Sequence, residues 1–478
     1  MVVPSPDEDT GTNGEPVYCL RVRGTAEHEL AYEIVQPDGT TDSLPVALRR
    51  SIGLVRLSGD DRNDRDLRLV QGSALDRLLS DKGLRSRLAS DLAKNGVKDE
   101  LTDSAKEVLK ALDLAFSAKN LPAELDLAIT GGQGFSITAL IGLTANREGV
   151  QLPLASWGAG TRRIAALAIA EQNQGEAPIT LVDELERGLE PYRQRSLMHK
   201  LQAGTAQVFV TTHSPSTISA GSKAGLWYVD HEGRIGSLEP AKIARHRRSD
   251  PETFLARLTV VAEGATELGF VTALLEKALS SSLQEHGVHV TDGGGHEATL
   301  DLLEALADGG LRFGGFADNE GGKHSTRWQK VAGKLDKLLF RWTSGCLEEN
   351  VIGAVPDDKL EALLIDPVGE IGTRRRTLAE RLDIKDKDLE AVRTKAGENL
   401  RALILAAALG RVPEDKMSEK NHFQSHAKSW FKSADGGREL AGKMFSLGVW
   451  PALKLQLMPF CNAFRKAVDL AEIQDLDP

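Results

Sequence analysis

The sequence predicts an α/β fold built on parallel sheets, and three stretches predict it. Leu258 to Ala262 is an apolar run delivering Glu263 to a Gly turn, with Glu267 in the first turn of the helix that follows. Leu311 to Ala317 is a second apolar run, ending on Asp318 and Glu320. Ile179 to Val182 is a third, ending on Asp183 and Glu184. Apolar strands alternating with helices and closing on acids give the βαβ layout. Parallel strands bring such ends side by side, at the edge where open α/β sheets bind ligands.

Carboxylates gathered on one edge cannot all stay ionised without a counter-charge. Hard divalent cations are the natural partner, because Mg²⁺ prefers oxygen ligands. A single Asp or Glu can open a helix simply to favour its dipole. The order strand, E-G-x-x-E, helix, Gly-rich strand end, D-x-E is more specific than that.

Composition narrows the class. The chain has 478 residues, 41% hydrophobic and 27% charged, enough for two or three domains. No run approaches the ~18 apolar residues that span a bilayer, so no membrane partner is expected. The first sixteen residues lack a basic start and an apolar centre, so they are no secretory signal and are expected to be disordered. Cys19, Cys346 and Cys461 are odd in number and far apart. They suggest a reducing cytoplasm, with neither a disulfide framework nor a Cys-based zinc site. No H-x-x-x-H or similar spacing is expected to gather the histidines, so a zinc hydrolase is not expected. A net charge of −10 argues against a surface that binds nucleic acid everywhere, and leaves DNA binding to local basic residues.

In chain order, Tyr18 to Gln36 alternates and reads as short antiparallel strands. Arg49 to Val70 is rich in Arg and Asp, either a nucleotide or DNA edge or a solvated surface. Gly72 to Leu121 has helical spacing, and a strand pair spans Leu125 to Leu143 around GGQG. Ser156, Gly158 and Gly160 then stand directly before a long apolar helix, where small residues and free N–H groups suit a phosphate. The Asp183-Glu184 strand end follows, and a further strand ends at His213. Ala244 to Phe254 is a basic connector, touching phosphates or merely solvated. Past the central acids come a helix at Trp328 to Leu339 and a strand-like element at Arg341 to Val355, the latter carrying Glu348 and Glu349. A charged helical region follows, then Lys428 and Lys432 beside Trp430 and Phe431. Either lysine could reach the acids, or both could be surface residues.

The acid pattern of the second half resembles the TOPRIM domain of topoisomerases, primases and OLD nucleases. Its single acid matches Glu263, and its D-x-D appears as Asp318-Asn319-Glu320. The S-x-G-x-G turn, the Asp183-Glu184 strand end and His213 resemble the signature, Walker B and switch His of an ABC/SMC ATPase head. That resemblance implies nucleotide binding by Ser156, Gly158, Gly160, Asp183, Glu184 and His213, with Glu184 as catalytic residue. No G-x-x-x-x-G-K-[ST] loop precedes Ser156. ATP is therefore expected to bind poorly. The expected reason is a truncated start; a partner protein supplying the loop or a purely scaffolding head are the alternatives.

An ABC-type head followed by a TOPRIM domain resembles the OLD family (overcoming lysogenisation defect), closest to its bacterial class 2 subgroup. The resemblance implies these parts: a disordered lead-in at 1–16, a head lacking Walker A at 17–243, a linker at 244–257 and a TOPRIM nuclease core at 258–355. A helical subdomain at 356–425 and a C-terminal segment returning to the core at 426–478 complete it. It implies two Mg²⁺ or Mn²⁺ ions held by Glu263, Glu267, Asp318, Glu320 and either Glu348 or Glu349. Lys432, or Lys428, would steady the transition state, and Asp292 in TDGGG would shape the pocket. DNA is the implied substrate, cut by hydrolysis in phage defence or DNA repair, with a homodimer formed through the head. A non-nucleolytic repair or signalling scaffold is the rival reading. A topoisomerase is disfavoured, since none of Tyr18, Tyr32, Tyr192 and Tyr228 stands in a basic helix-turn-helix context.

Overall fold

A computed structural model describes residues 2–3, 15–16, 19–24, 30–36, 38–45, 54–57, 63–70, 73–79, 101–119, 121–129, 141–172, 179–229, 235–319, 323–385 and 388–476. The expected lead-in lies largely outside these residues, as do the GGQG turn and Glu320. The chain divides into two compact units, Met1–Thr217 and Ile218–Pro478. Among the described residues, no helix is long and apolar enough to cross a membrane.

In the first unit Val2–Val3 pairs antiparallel with Glu15–Pro16, so the ends of the expected disordered lead-in form a short ladder, and antiparallel strands β1 (Cys19–Gly24), β2 (Leu30–Val35) and β3 (Thr41–Ser43) follow. Strand β4 (Leu54–Leu57) lies inside the Arg- and Asp-rich stretch and joins a parallel sheet. Helices α1 (Ala74–Leu79) and α2 (Asp103–Ala118) follow, the latter capped by the Thr102 side chain. Strands β5 (Asp126–Ile129), β6 (Ile141–Arg147) and β7 (Val150–Pro153) form an antiparallel meander. Helix α3 (Ala159–Gln172) buries Ala165, Ala168 and Ile169 in one core with Leu112, Phe116, Ile141 and Leu143. Strands β8 (Ile179–Val182) and β9 (Gln207–Val210), joined by helix α4 (Pro191–Ala203), complete a parallel sheet in the order β9-β8-β4.

The second unit begins earlier than the expected end of the head at 243. The hairpin β10 (Leu226–Val229) and β11 (Ile235–Leu238) shares a core with Leu300, Leu306 and Phe313. The expected linker is also built structure. Helix α5 (Pro240–Ser249) buries His246 and Arg247, and a 3₁₀ turn spans Pro251–Phe254. Arg247 donates to the carbonyls of Ile218 and Ala224, so a residue that reads as phosphate-binding instead ties down backbone.

The central sheet is all parallel, in the order β13-β12-β14-β15. It comprises β12 (Leu258–Ala262), β13 (Val288–Asp292), β14 (Phe313–Ala317) and β15 (Leu339–Arg341), with helices α6 (Ala265–Leu279), α7 (His296–Gly309) and α8 (Ser325–Leu335) as crossovers. Strand β12 is buried on both faces, as parallel strands are. Val260 and Ala262 face one core and Val261 the other. Phe316 stacks on Phe340 at 4.8 Å and meets Phe270 and Phe460 edge-on or tilted at 5.8 Å. That cluster holds the end of β14 just before Asp318.

The stretch Arg341 to Val355 departs from its strand-like reading. Only Arg341 belongs to a strand, and Leu347–Gly353 forms helix α9, started by a capping box at Cys346. Helices α10 (Gly372–Arg381), α11 (Leu389–Ala396) and α12 (Leu400–Ala408) share one core with β12 and with the closing helices α14 (Ala434–Ser446) and α15 (Trp450–Ala467), while the short α13 (Lys420–Ser425) stands outside that core. The helical region is therefore packed on the sheet rather than set apart as a subdomain.

Candidate active site

The register of the sheet decides which acids meet. Ala262 pairs with Asp292 on one side and Phe316 on the other. Glu263 and Asp318 thus leave neighbouring strand tips, and the Asp318 N–H donates to Glu263 Oε2 at 3.0 Å. Glu267, one turn into α6, and Glu348, one turn into α9, point at the same place; both are buried, Glu348 completely. The Leu347 N–H donates to Asp318 Oδ1 at 3.0 Å, which ties the start of α9 to the end of β14.

Crowding moves these groups. Burial, then Glu267, Glu263 and Glu348, pushes Asp318 up to about 8 against the Leu347 hydrogen bond. Burial, then Glu348, pushes Glu267 up to about 7, with Lys432 opposing. Lys432 loses to burial but gains more from Glu348 and Glu267, and ends above the usual ammonium range. Its Nζ is 2.6 Å from Glu348 Oε1 as an ion pair, out of hydrogen-bond alignment. Neither oxygen of Glu348 accepts a hydrogen bond among the described residues. An all-oxygen donor set of four acids facing a single ammonium fits a hard divalent cation. Among the described residues, no three of these acids bring oxygens within 4.8 Å of one another.

The lysine is delivered from far along the chain. Arg374 is fully buried and grips Glu439 through two hydrogen bonds of 2.7 and 2.6 Å. Its Nε donates to the Ser429 carbonyl at 3.0 Å, and its guanidinium lies over Trp430 and Phe431. One residue thereby fixes the turn that ends at Lys432. Helix α14 then crosses α6 with almost nothing between them. A Cβ at Gly437 would lie 1.9 Å from the Thr266 carbonyl oxygen, and one at Gly269 1.7 Å from that of Ala434.

The other expected residues fall elsewhere. Glu349 closes the capping box by accepting from the Cys346 N–H at 3.0 Å, and its second oxygen pairs with Arg411. Lys428 is exposed on the 3₁₀ turn His426–Ser429. Asp292 accepts from the Gly294 N–H at 2.8 Å and lies 4.0 Å from Arg245, shaping its own loop.

Two residues were not foreseen. Trp328 Nε1 donates to His296 Nε2 at 3.2 Å, which places the proton of a neutral ring on Nδ1. That nitrogen is buried and 3.5 Å from Glu263 Oε2. Arg341 donates to the Asp318 carbonyl at 3.2 Å and lies over Trp328. Neither has a sequence signal beyond opening a helix or closing a strand beside an acid.

In the first unit, Asp183 and Glu184 follow β8, and Glu184 adopts a left-handed φ of 48°. Thr211, next to β9, orders this turn: its hydroxyl donates to Asp183 Oδ1 at 2.6 Å and accepts from the Glu184 N–H at 2.9 Å. The N–H of His213 donates to Glu186 Oε1 at 2.7 Å, so a third acid, overlooked in the sequence, holds the His213 backbone. Glu184 pairs with Arg187 at 3.2 Å. Ser156 and Gly158 are exposed before α3, whereas Gly160 is buried, where a Cβ would meet the Gly188 carbonyl at 2.2 Å. Gly160 therefore serves helix packing against the loop after β8.

Residues 37–219 match the family model described as "AAA domain, putative AbiEii toxin, Type IV TA system". No curated protein matches the chain. Similar solved structures include the C-terminal region of the Xanthomonas campestris pv. campestris OLD protein, at 15% identity, covering 45% of this chain and 98% of that one with a TM-score of 0.27. They also include the C-terminal region of the Burkholderia pseudomallei OLD protein, at 15% identity, 40% and 98% coverage and a TM-score of 0.21. Likenesses of that size carry no argument about chemistry. The chain thus joins a segment similar to AAA-type ATPase domains to an α/β unit whose parallel strands converge on one acid pocket.

Proposed function

We propose that the second unit is a TOPRIM-type nuclease centre of the OLD kind, hydrolysing DNA phosphodiester bonds with Mg²⁺ or Mn²⁺. The observation that carries this reading is the cluster of three buried acids, Glu263, Glu267 and Glu348, with half-buried Asp318 between them and Lys432 at their side. Those four acids, with Glu320, would hold two divalent ions, which supply an activated water and neutralise charge on the attacking and leaving oxygens. Lys432 adds a positive charge that is independent of ion occupancy and close to where phosphoryl charge develops. Arg341 backs the pocket, and His296, oriented by Trp328, sets its Nδ1 3.5 Å from Glu263. DNA would be held by local Lys and Arg contacts, so binding should weaken with salt.

Plasmid nicking by the full chain in Mg²⁺ or Mn²⁺ tests this. Glu263→Gln is expected to lower the rate by at least about a hundredfold, the scale of losing one preorganised charge-stabilising group. A scaffold with merely structural acids would not cut before or after that change, and cleavage that survives it would refute the site.

The first unit we read as an ABC-type ATPase head that pairs with a second copy and, without a G-x-x-x-x-G-K-[ST] loop ahead of Ser156, binds ATP poorly. Little or no ATP turnover is expected from this chain alone. Robust turnover that disappears in Glu184→Gln would show that the chain carries its own cradle.

A further inference from the structure

The helical region carries a second constellation, distinct from the acid pocket. Contrary to expectation, His422 and His426 do stand in H-x-x-x-H spacing. They sit on α13 and the turn that continues it, and residues four apart share a helix face. Both face Glu380, from the last turn of α10. Glu380 Oε2 is 3.2 Å from His422 Nε2 and 3.2 Å from His426 Nε2, and the two ring nitrogens are 3.4 Å apart. Among the described residues this is the one group of three possible ligands whose atoms all lie within 4.8 Å of one another.

We propose that Glu380, His422 and His426 form a binding site for a transition-metal ion of the zinc class, with one coordination position open. A tetrahedral zinc ion with bonds of about 2.0–2.1 Å holds its ligand atoms about 3.3 Å apart, which is the spacing found. Two imidazoles and a carboxylate suit zinc and its neighbours rather than Mg²⁺. The site has a firm inner side and an open outer one. The His426 side chain is 4% exposed and rests on Phe423, while His422 is 50% exposed. Water or a further ligand can enter past His422. The surroundings set a moderate affinity. Arg376 lies 3.8 Å from the other Glu380 oxygen, and Arg381 is close enough to act on His426. The Arg381 donors are aimed at the carbonyls of Arg411 and Phe423.

The test strips the full-length protein with a chelator and titrates it with Zn²⁺ against a colorimetric competitor, in excess Mg²⁺ to fill the acid pocket. One equivalent is expected to bind in the wild type and in Asp318→Asn. His422→Ala, at an exposed position that should not disturb folding, is expected to weaken binding by more than the tenfold to hundredfold, roughly, that even an outer-shell change costs. Glu380→Gln should do likewise, and Co²⁺ should give the strong visible absorption of a tetrahedral site. The proposal falls if no zinc binds, if His422→Ala binds it unchanged, or if Asp318→Asn abolishes the binding. The readout is binding alone, so the result is separate from whether the acid pocket cuts DNA.

Discussion

Asp318→Asn is expected to raise the melting temperature of the metal-free protein at pH 8 while abolishing its metal-dependent cleavage. In the fold the Asp318 carboxyl is pushed up to about 8, against roughly 3.9 in an unfolded chain. The stability associated with its proton is fully present below the unfolded value and lost as pH rises through the folded one. Metal-free wild type should therefore lose stability from about pH 4 to pH 8, by up to about 1.4 kcal/mol per pH unit for each extra proton the fold holds. Glu267, pushed up to about 7, adds to that slope. An asparagine side chain at this position can still accept from the Leu347 N–H while its amide faces the remaining acids, so the variant should show a shallower slope. Divalent ions bind the deprotonated acids and release protons. Mg²⁺ should thus stabilise the wild type more at pH 8 than at pH 6, and stabilise the variant far less. Melting curves across pH, with and without Mg²⁺, give the answer. Parallel slopes and equal Mg²⁺ gains in the two proteins would rule out this account of the pocket.

Gly437→Ala is expected to be costly although alanine is the better helix former. Its Cβ would sit 1.9 Å from the Thr266 carbonyl oxygen and 2.8 Å from the Phe270 nitrogen. Both are backbone atoms and cannot rotate aside, so α6 and α14 must part. Overpacking of that kind costs about 1–3 kcal/mol or more. Parting the helices also draws Lys432 away from Glu348, so cleavage should fall further than stability alone explains. Gly442 lies on the same helix with nothing near its Cβ position. Gly442→Ala should stabilise by about 0.5–1 kcal/mol. If the two alanine variants behave alike, the crossing is not as close as described.

What was legible in the sequence was what local pattern encodes. The strand at Leu258 to Ala262, Glu263 at its tip and Glu267 in the next helix follow from an apolar run, a Gly turn and helical spacing. Asp318 and the Asp183-Glu184 turn follow in the same way. Glu348 was harder, because β-branched Val351 and Ile352 give a short helix the look of a strand. Only the capping box separates Glu348 from Glu349, by using the latter's carboxylate at the helix start. His296 and Arg341 enter through Trp328, a contact between elements with no local signature. The expected linker turned out to be a helix whose basic side chains serve backbone carbonyls. The histidine pair was in plain view, but its meaning depends on Glu380, which another helix brings to it.

The crossing of α6 and α14 also sets an order in time. A ribosome extrudes Glu263, Glu267 and Asp318 well before Lys432 and Gly437, and chains fold from their start as they emerge. Until α14 leaves the exit tunnel, the acids lack both their ammonium and the helix that braces Glu267. A pocket assembled in that order stays incomplete while the chain is being made, and gains its ammonium only after most of the chain has been translated.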